Sequence, residues 1–145
     1  ASHDLEADLA RAVSILVDLE DDVVERGVAW PVRVRVQNTG AGHAVPTGSP
    51  FKKLRITATL VDVKGKSLTN PIEQEFGREI GDTPPWETLS DQRILPGEEA
   101  IVQGEMTVSQ RKRAGPAVLN IEVEKLIGGE VVETTLLQSI PLSLQ

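Results

Sequence analysis

The sequence holds two histidines, His3 and His43, and no cysteine, so a thiolate metal site is excluded and imidazole is the ligand to look for first. His43 lies in the most unusual stretch of the chain, Asn38-Thr39-Gly40-Ala41-Gly42-His43-Ala44-Val45-Pro46-Thr47-Gly48. Gly40 and Gly42 permit positive φ and let another surface come close to the backbone. Pro46 stiffens the far side of the loop and biases Val45 toward an extended shape. An imidazole on such a loop projects from a fixed base without bulky neighbours. An axial haem ligand requires this, because the porphyrin face must approach to bond distance. His3, within Ser2-His3-Asp4, is the second candidate. The plainer alternative for both is a loop histidine that hydrogen-bonds to nearby backbone.

Other chemistry is thinly represented. Ser2-His3-Asp4 is no catalytic triad, since adjacent side chains point apart and triad members must converge from separate elements. No P-loop, GxSxG or HExxH pattern occurs. Asp18, Glu20, Asp21 and Asp22 cluster without the glycine and oxygen spacing of a calcium loop. Glu73 and Glu75 share one face of an expected strand, with Glu79 nearby, and read as solvated charge rather than as an acid–base pair. Trp86 follows Pro84-Pro85 on an expected loop, as a docking anchor or, in the plainer alternative, a side chain packed within its loop. Trp30 opens the strongest strand and is expected in the core or on its rim. An enzyme is therefore not expected.

The elements that must position these residues are strands. From Val13 the pattern is period two: Val13, Ile15, Val17 and Leu19 alternate with other residues until Asp21-Asp22 breaks the run. Ala29 to Gln37 alternates Val32, Val34 and Val36 against Arg33 and Arg35. Leu54 to Val63 is a further strand, turning at Lys64-Gly65 into Ser67-Leu68. Asn70 to Ser90 reads as a long loop with one short strand around Glu73 to Arg78. Ala100 to Val108 alternates again, and Ala117 to Ile127 and Val131 to Leu142 form a hairpin around Gly128-Gly129. Leu5 and Leu9 are spaced for at most a short N-terminal helix. These signals predict an all-β fold, an immunoglobulin- or fibronectin-like β-sandwich of about seven or eight strands. The expected organisation is an N-terminal extension over residues 1–12 and one sandwich domain over 13–145.

Composition narrows the partners. At 145 residues the chain can bury a core without staples. Aromatics are 3% of residues, with no tyrosine, so Val, Leu and Ile must fill that core. A net charge of −7 argues against nucleic acid and anionic membranes, which need basic patches. Arg111-Lys112-Arg113 is too short to reverse this and reads as a solvated turn beside Gly115-Pro116. No apolar run approaches the length needed to span a bilayer, so membrane insertion is not expected.

The run Asn38-x-Gly-Ala-Gly-His43-x-x-Pro46-Thr47-Gly48, followed by a strand ending in Asp62-x-x-Gly65-Lys66, resembles the C-terminal β-sandwich region of multihaem c-type cytochromes. Ser2-His3-Asp4 resembles the Ser-His-Asp-Phe element that often precedes that sandwich, with Leu5 in place of the aromatic residue. The resemblance covers residues 1–66; the later strands match only as a generic sandwich. It implies a non-catalytic accessory domain of an extracytoplasmic electron-transfer system, periplasmic or extracellular. His43, and less directly His3, would be an axial ligand to haem iron, with Gly40, Gly42, Pro46 and Thr47 facing the partner; Trp86, outside the resemblance, is a partner-facing candidate as a loop aromatic. The chain departs from the family in lacking CxxCH, so it binds no haem covalently. Any haem c belongs to a partner multihaem cytochrome chain or to a cleaved haem-bearing portion. The rival expectation is a plain scaffold or adhesion module that binds a protein or glycan without haem. His43 separates the two, since only the first needs its imidazole free and pointing outward.

Overall fold

The computed structural model describes residues 13–38, 52–80, 88–91 and 98–145. Ten strands follow in chain order: β1 (Val13–Leu19), β2 (Val23–Val24), β3 (Trp30–Asn38), β4 (Lys52–Asp62), β5 (Ile72–Phe76), β6 (Arg78–Ile80), β7 (Thr88–Asp91), β8 (Glu99–Met106), β9 (Gly115–Ile127) and β10 (Glu130–Leu144). They form a three-stranded sheet, β1-β3-β8, and a five-stranded sheet, β2-β10-β9-β4-β5. β6 and β7 make a separate two-stranded ribbon. All pairings are antiparallel except β2 with β10. The expected sandwich is what forms.

The alternation read from the sequence is the alternation of burial. On β3 Trp30, Val32, Val34 and Val36 are buried, while Arg33 points to solvent. Across the layer, Leu54, Ile56, Ala58 and Leu60 of β4 meet Ala117, Leu119, Ile121 and Val123 of β9 in one continuous apolar cluster. β-Branched side chains suit this pleated, two-layered surface, which is why so few aromatics suffice.

Three features depart from the pattern read along the chain. First, Asp21-Asp22 does more than end β1. It lets the chain leave the three-stranded sheet, and β2 then pairs in parallel with the end of β10, Val23 opposite Ser143 and Val24 opposite Leu144. Two residues give no periodicity to detect, yet Val24 is fully buried. Second, the strand expected around Glu73 to Arg78 begins at Ile72 and stops at Phe76, and β6 restarts at Arg78 after buried Gly77. Third, the expected long loop contains the β6–β7 ribbon, whose pairing of Arg78 with Asp91 spans thirteen residues. Arg111-Lys112-Arg113 does form a turn, closed by the Lys112 N–H donating to the Ser109 carbonyl at 3.0 Å.

The two sheets approach closely along one side. A Cβ built on Gly104 of β8 would stand 3.1 Å from the Ile72 side chain of β5, so glycine at this position allows the approach. At the turn preceding β3, Gly27 adopts a φ of 78°, donates its N–H to the Val108 carbonyl at 2.7 Å and leaves room for Gln110. A side chain here would be strained and would also strike Gln110.

Because Leu119 is fully buried between the layers, Leu119→Ala should cost about 3 kcal/mol of stability. Leu136, exposed on β10, should cost less than about 0.5 kcal/mol when cut to alanine. Urea denaturation midpoints of the two variants test the contrast.

Candidate functional site

His3, Gly40, Gly42, His43, Pro46, Thr47 and Trp86 all lie outside the described residues, as does the short helix expected within 1–12. The strand ends that hold their segments are described. Val13, which follows the His3 segment, pairs directly with Asn38, which precedes the His43 segment. Asn38 is buried, and its backbone N–H donates to the Glu98 carbonyl at 3.2 Å, tying in the chain that enters β8. On the other sheet the chain re-enters at Lys52, in register with Ile127 beside the Gly128-Gly129 turn. Phe76, the last residue of β5, pairs with Leu54 two positions along β4. Segments 1–12, 39–51 and 77–97 are thus rooted at a single end of the sandwich. The opposite end carries the turns at 20–22, 63–66 and 107–114.

The tail of the motif run has a structural explanation at that opposite end. Asp62 closes the β4–β5 connection, its Oδ1 accepting the backbone N–H groups of Lys64 at 2.8 Å and Lys66 at 2.9 Å. Gly65 takes a φ of 81° in the same turn. The Lys66 backbone hydrogen bond, helped by that of Lys64, holds the Asp62 carboxyl below the usual carboxylate range. Asp62-x-x-Gly65-Lys66 therefore does turn chemistry that any sandwich can use.

A polar cluster that the sequence reading only half anticipated occupies the outer face of the five-stranded sheet. Glu73 and Glu75 do share a face, and what they share it with is Arg55, 3.8 Å from each. The stronger partner is Glu124. Arg55 donates Nε–H to its Oε1 and Nη2–H to its Oε2, both at 3.1 Å, and Thr57 adds a hydroxyl donor at 3.1 Å. The Arg55 hydrogen bond, reinforced by Thr57, holds the Glu124 carboxyl below its ordinary value. Glu124 in turn pushes the guanidinium up. Strand parity could have placed Arg55 and Glu124 on outer faces; only the β4–β9 register puts them opposite each other. A carboxylate pinned in this way is a poor proton donor near neutrality, so the cluster is a cross-strand clamp rather than an acid–base pair.

Elsewhere, a shallow depression of about 440 Å³ crosses the outer face of the three-stranded sheet, lined by Asp18, Pro31, Arg33, Gln103 and Glu105 among others. It lies toward the end away from Asn38. Among the described residues no group of three or more His, Cys, Asp or Glu could hold a metal ion. Among them, too, no helix is long and apolar enough to cross a membrane.

No family model matches the chain, and no curated protein matches it. Solved structures do. A penta-haem cytochrome c552 from Thermochromatium tepidum superposes with a TM-score of 0.66 at 18% identity, over 95% of this chain and 41% of that one. The chain thus spans about two fifths of the cytochrome's length. AvmM, which catalyses macrocyclization in alchivemycin A biosynthesis, superposes with a TM-score of 0.54 at 10% identity, over 92% of this chain and 89% of that one. At these identities the likeness is one of fold: the chain is a β-sandwich of a kind found in both proteins.

The clamp gives a pH signature. Glu124 is held ionised in the fold, so its stabilisation is complete above the unfolded carboxyl value of about 4.3 and is lost as pH falls through the lower folded value. Glu124→Gln should lower stability by about 1–2 kcal/mol at pH 7, and the gap to wild type should close toward about pH 3. Urea titrations at the two pH values check this; a gap that stays constant would remove the clamp from the account.

Proposed function

We propose that the chain is a non-catalytic accessory domain of an extracytoplasmic multihaem cytochrome system. It packs on a haem-bearing partner and offers an imidazole as axial ligand to that partner's haem. The observation that carries this reading is the pairing of Val13 with Asn38, which roots the two segments containing the chain's only histidines on neighbouring strands. The likeness to a penta-haem cytochrome over nearly the whole chain supplies the class of partner. The Gly-Ala-Gly-His43-x-x-Pro-Thr-Gly run supplies the ligand.

The chemistry asked of the chain is modest. Haem contributes the redox centre; the domain contributes a neutral imidazole, which histidine provides near neutral pH, and a wall that excludes water. Excluding water around an axial ligand lowers the local dielectric and helps set the reduction potential. Without cysteine the chain forms no thioether bond to haem, so the haem is bound by another polypeptide or by a portion cleaved from this one. The non-catalytic assignment is supported by Glu124, a largely shielded carboxylate that is committed to Arg55.

Visible absorption of the native isolate tests the reading, alongside His43→Ala and His3→Ala variants. Haem should co-purify with a six-coordinate low-spin spectrum, and loss of the ligating histidine should turn it high-spin. Native material without haem, with variants indistinguishable from it, would leave a plain sandwich scaffold or adhesion module as the better account.

A further inference from the structure

A sheet edge offers a row of unpaired backbone N–H and C=O groups, and folds ordinarily defend such rows against other chains. Most edges here carry a defence. β2 is two residues long, and β10, which it covers only at the end, has two register shifts and Pro141. β5 presents Glu73 and Glu75, and β8 holds Gly104 with the Ile72 side chain close by. β1 differs. Its seven residues pair with β3 in unbroken register, without proline, lysine or bulge. Leu16 on its outer face is 51% exposed, while Ile15, Val17 and Leu19 pack on the core but are only partly buried.

The strand's own sequence says what fits it. Residues directly opposite in an antiparallel pair share a face of the sheet. Laid antiparallel on a second copy about Leu16, β1 sets Leu16 against Leu16, Ser14 against Asp18, Ile15 against Val17 and Val13 against Leu19. All seven residues pair, outer with outer and inner with inner. Each Leu16 covers its twin, and each Ser14 hydroxyl can donate to the Asp18 carboxylate of the other copy. Neighbouring registers do worse. Centring on Ile15 or Val17 sets Leu16 against Ser14 or Asp18, and centring on Asp18 puts two carboxylates face to face. Registers between these turn outer residues onto the inner face.

Charge permits the match. The charged residues on the outer face of β1, β3 and β8 are Asp18, Arg33, Arg35, Glu99 and Glu105. Of these only Asp18 stands on the edge strand, and Arg35 holds it at 2.9 Å. In the pair the two Asp18 positions would lie about 13 Å apart along the seam, at about 3.3 Å per residue. That exceeds the screening length of about 8 Å in physiological salt. The two Arg35 positions, one strand further in on each side, would be about 14 Å apart across it.

We infer that β1 is a self-association edge, pairing antiparallel with β1 of a second copy about Leu16 and joining the two three-stranded sheets into one. The contact is isologous and closes on itself. Antiparallel pairing points the two Asn38 ends in opposite directions, so the dimer presents its segment-bearing ends on opposite sides. The inference stands independently of the haem reading.

Sedimentation equilibrium of the full chain from about 1 μM to about 1 mM should show monomer passing into dimer, the range suited to a small interface. Leu16→Lys sets two ammonium groups opposite each other and should raise the dissociation constant at least about tenfold. Leu136→Lys, at a 56% exposed position of β10, should leave it within about twofold. The chain has no cysteine, so Leu16→Cys reports the register directly. Mild oxidation should link two copies through it, whereas Ser14→Cys or Asp18→Cys alone should not link. Urea midpoints at low concentration confirm that each variant is folded. Wild type that stays monomeric at about 1 mM overturns the inference, and slow amide exchange along β1 in that monomer would assign the edge to another stretch of the same chain. A dimer unmoved by Leu16→Lys, or one in which Ser14→Cys links as readily as Leu16→Cys, overturns the β1 pairing. Loss of the dimer in Leu136→Lys, with Leu16→Lys unaffected, would move the interface to β10.

Discussion

The apolar seam between the two sheets is the constraint on which everything else depends. Without disulfides, and without helices among the described residues, the layers are held together above all by apolar side chains: Val32, Val34, Val36 and Val102 from one sheet against Ile56, Leu60, Leu119, Ile121 and Val123 from the other. Fixing each residue costs conformational entropy, and only a contiguous dry interior of this extent offsets it. The seam also fixes register, because slipping any inner strand by one residue would turn its buried face to water. Once register is fixed, the geometry at both ends of the sandwich follows.

That geometry divides the molecule. One end is closed by short turns with their own local chemistry, such as the Asp62 carboxylate gathering the Lys64 and Lys66 amides. The other end holds the roots of the longer segments, with Val13, Asn38 and Glu98 close together on one sheet and Lys52 beside Ile127 on the other. A rigid sandwich with chemistry-bearing segments collected at one end is a common division of labour between scaffold and function.

The Arg55 clamp belongs to the scaffold. Its best pair, with Glu124, is largely shielded and bidentate, and the two looser contacts to Glu73 and Glu75 lie nearer to water, where ion pairs contribute little. The clamp's value is in tying three adjacent strands, β9, β4 and β5, across their outer face.

The sequence by itself determined the fold class, the main strands and the inner face of each, because period-two alternation such as Val32-Val34-Val36 is a local record of which side meets water. It also excluded thiolate chemistry outright and singled out His43 by its glycine-rich setting. Tertiary structure decided what no local pattern records. β2 is too short to show a period and is a strand only because the end of β10 lies beside it. Gly77 splits an expected strand. Arg55 and Glu124 are sixty-nine residues apart and meet only through the β4–β9 register. The common end shared by the segments of His3 and His43 is likewise a product of strand order. Long-range pairing is set by the summed burial of all the strands, and no window of sequence contains that sum.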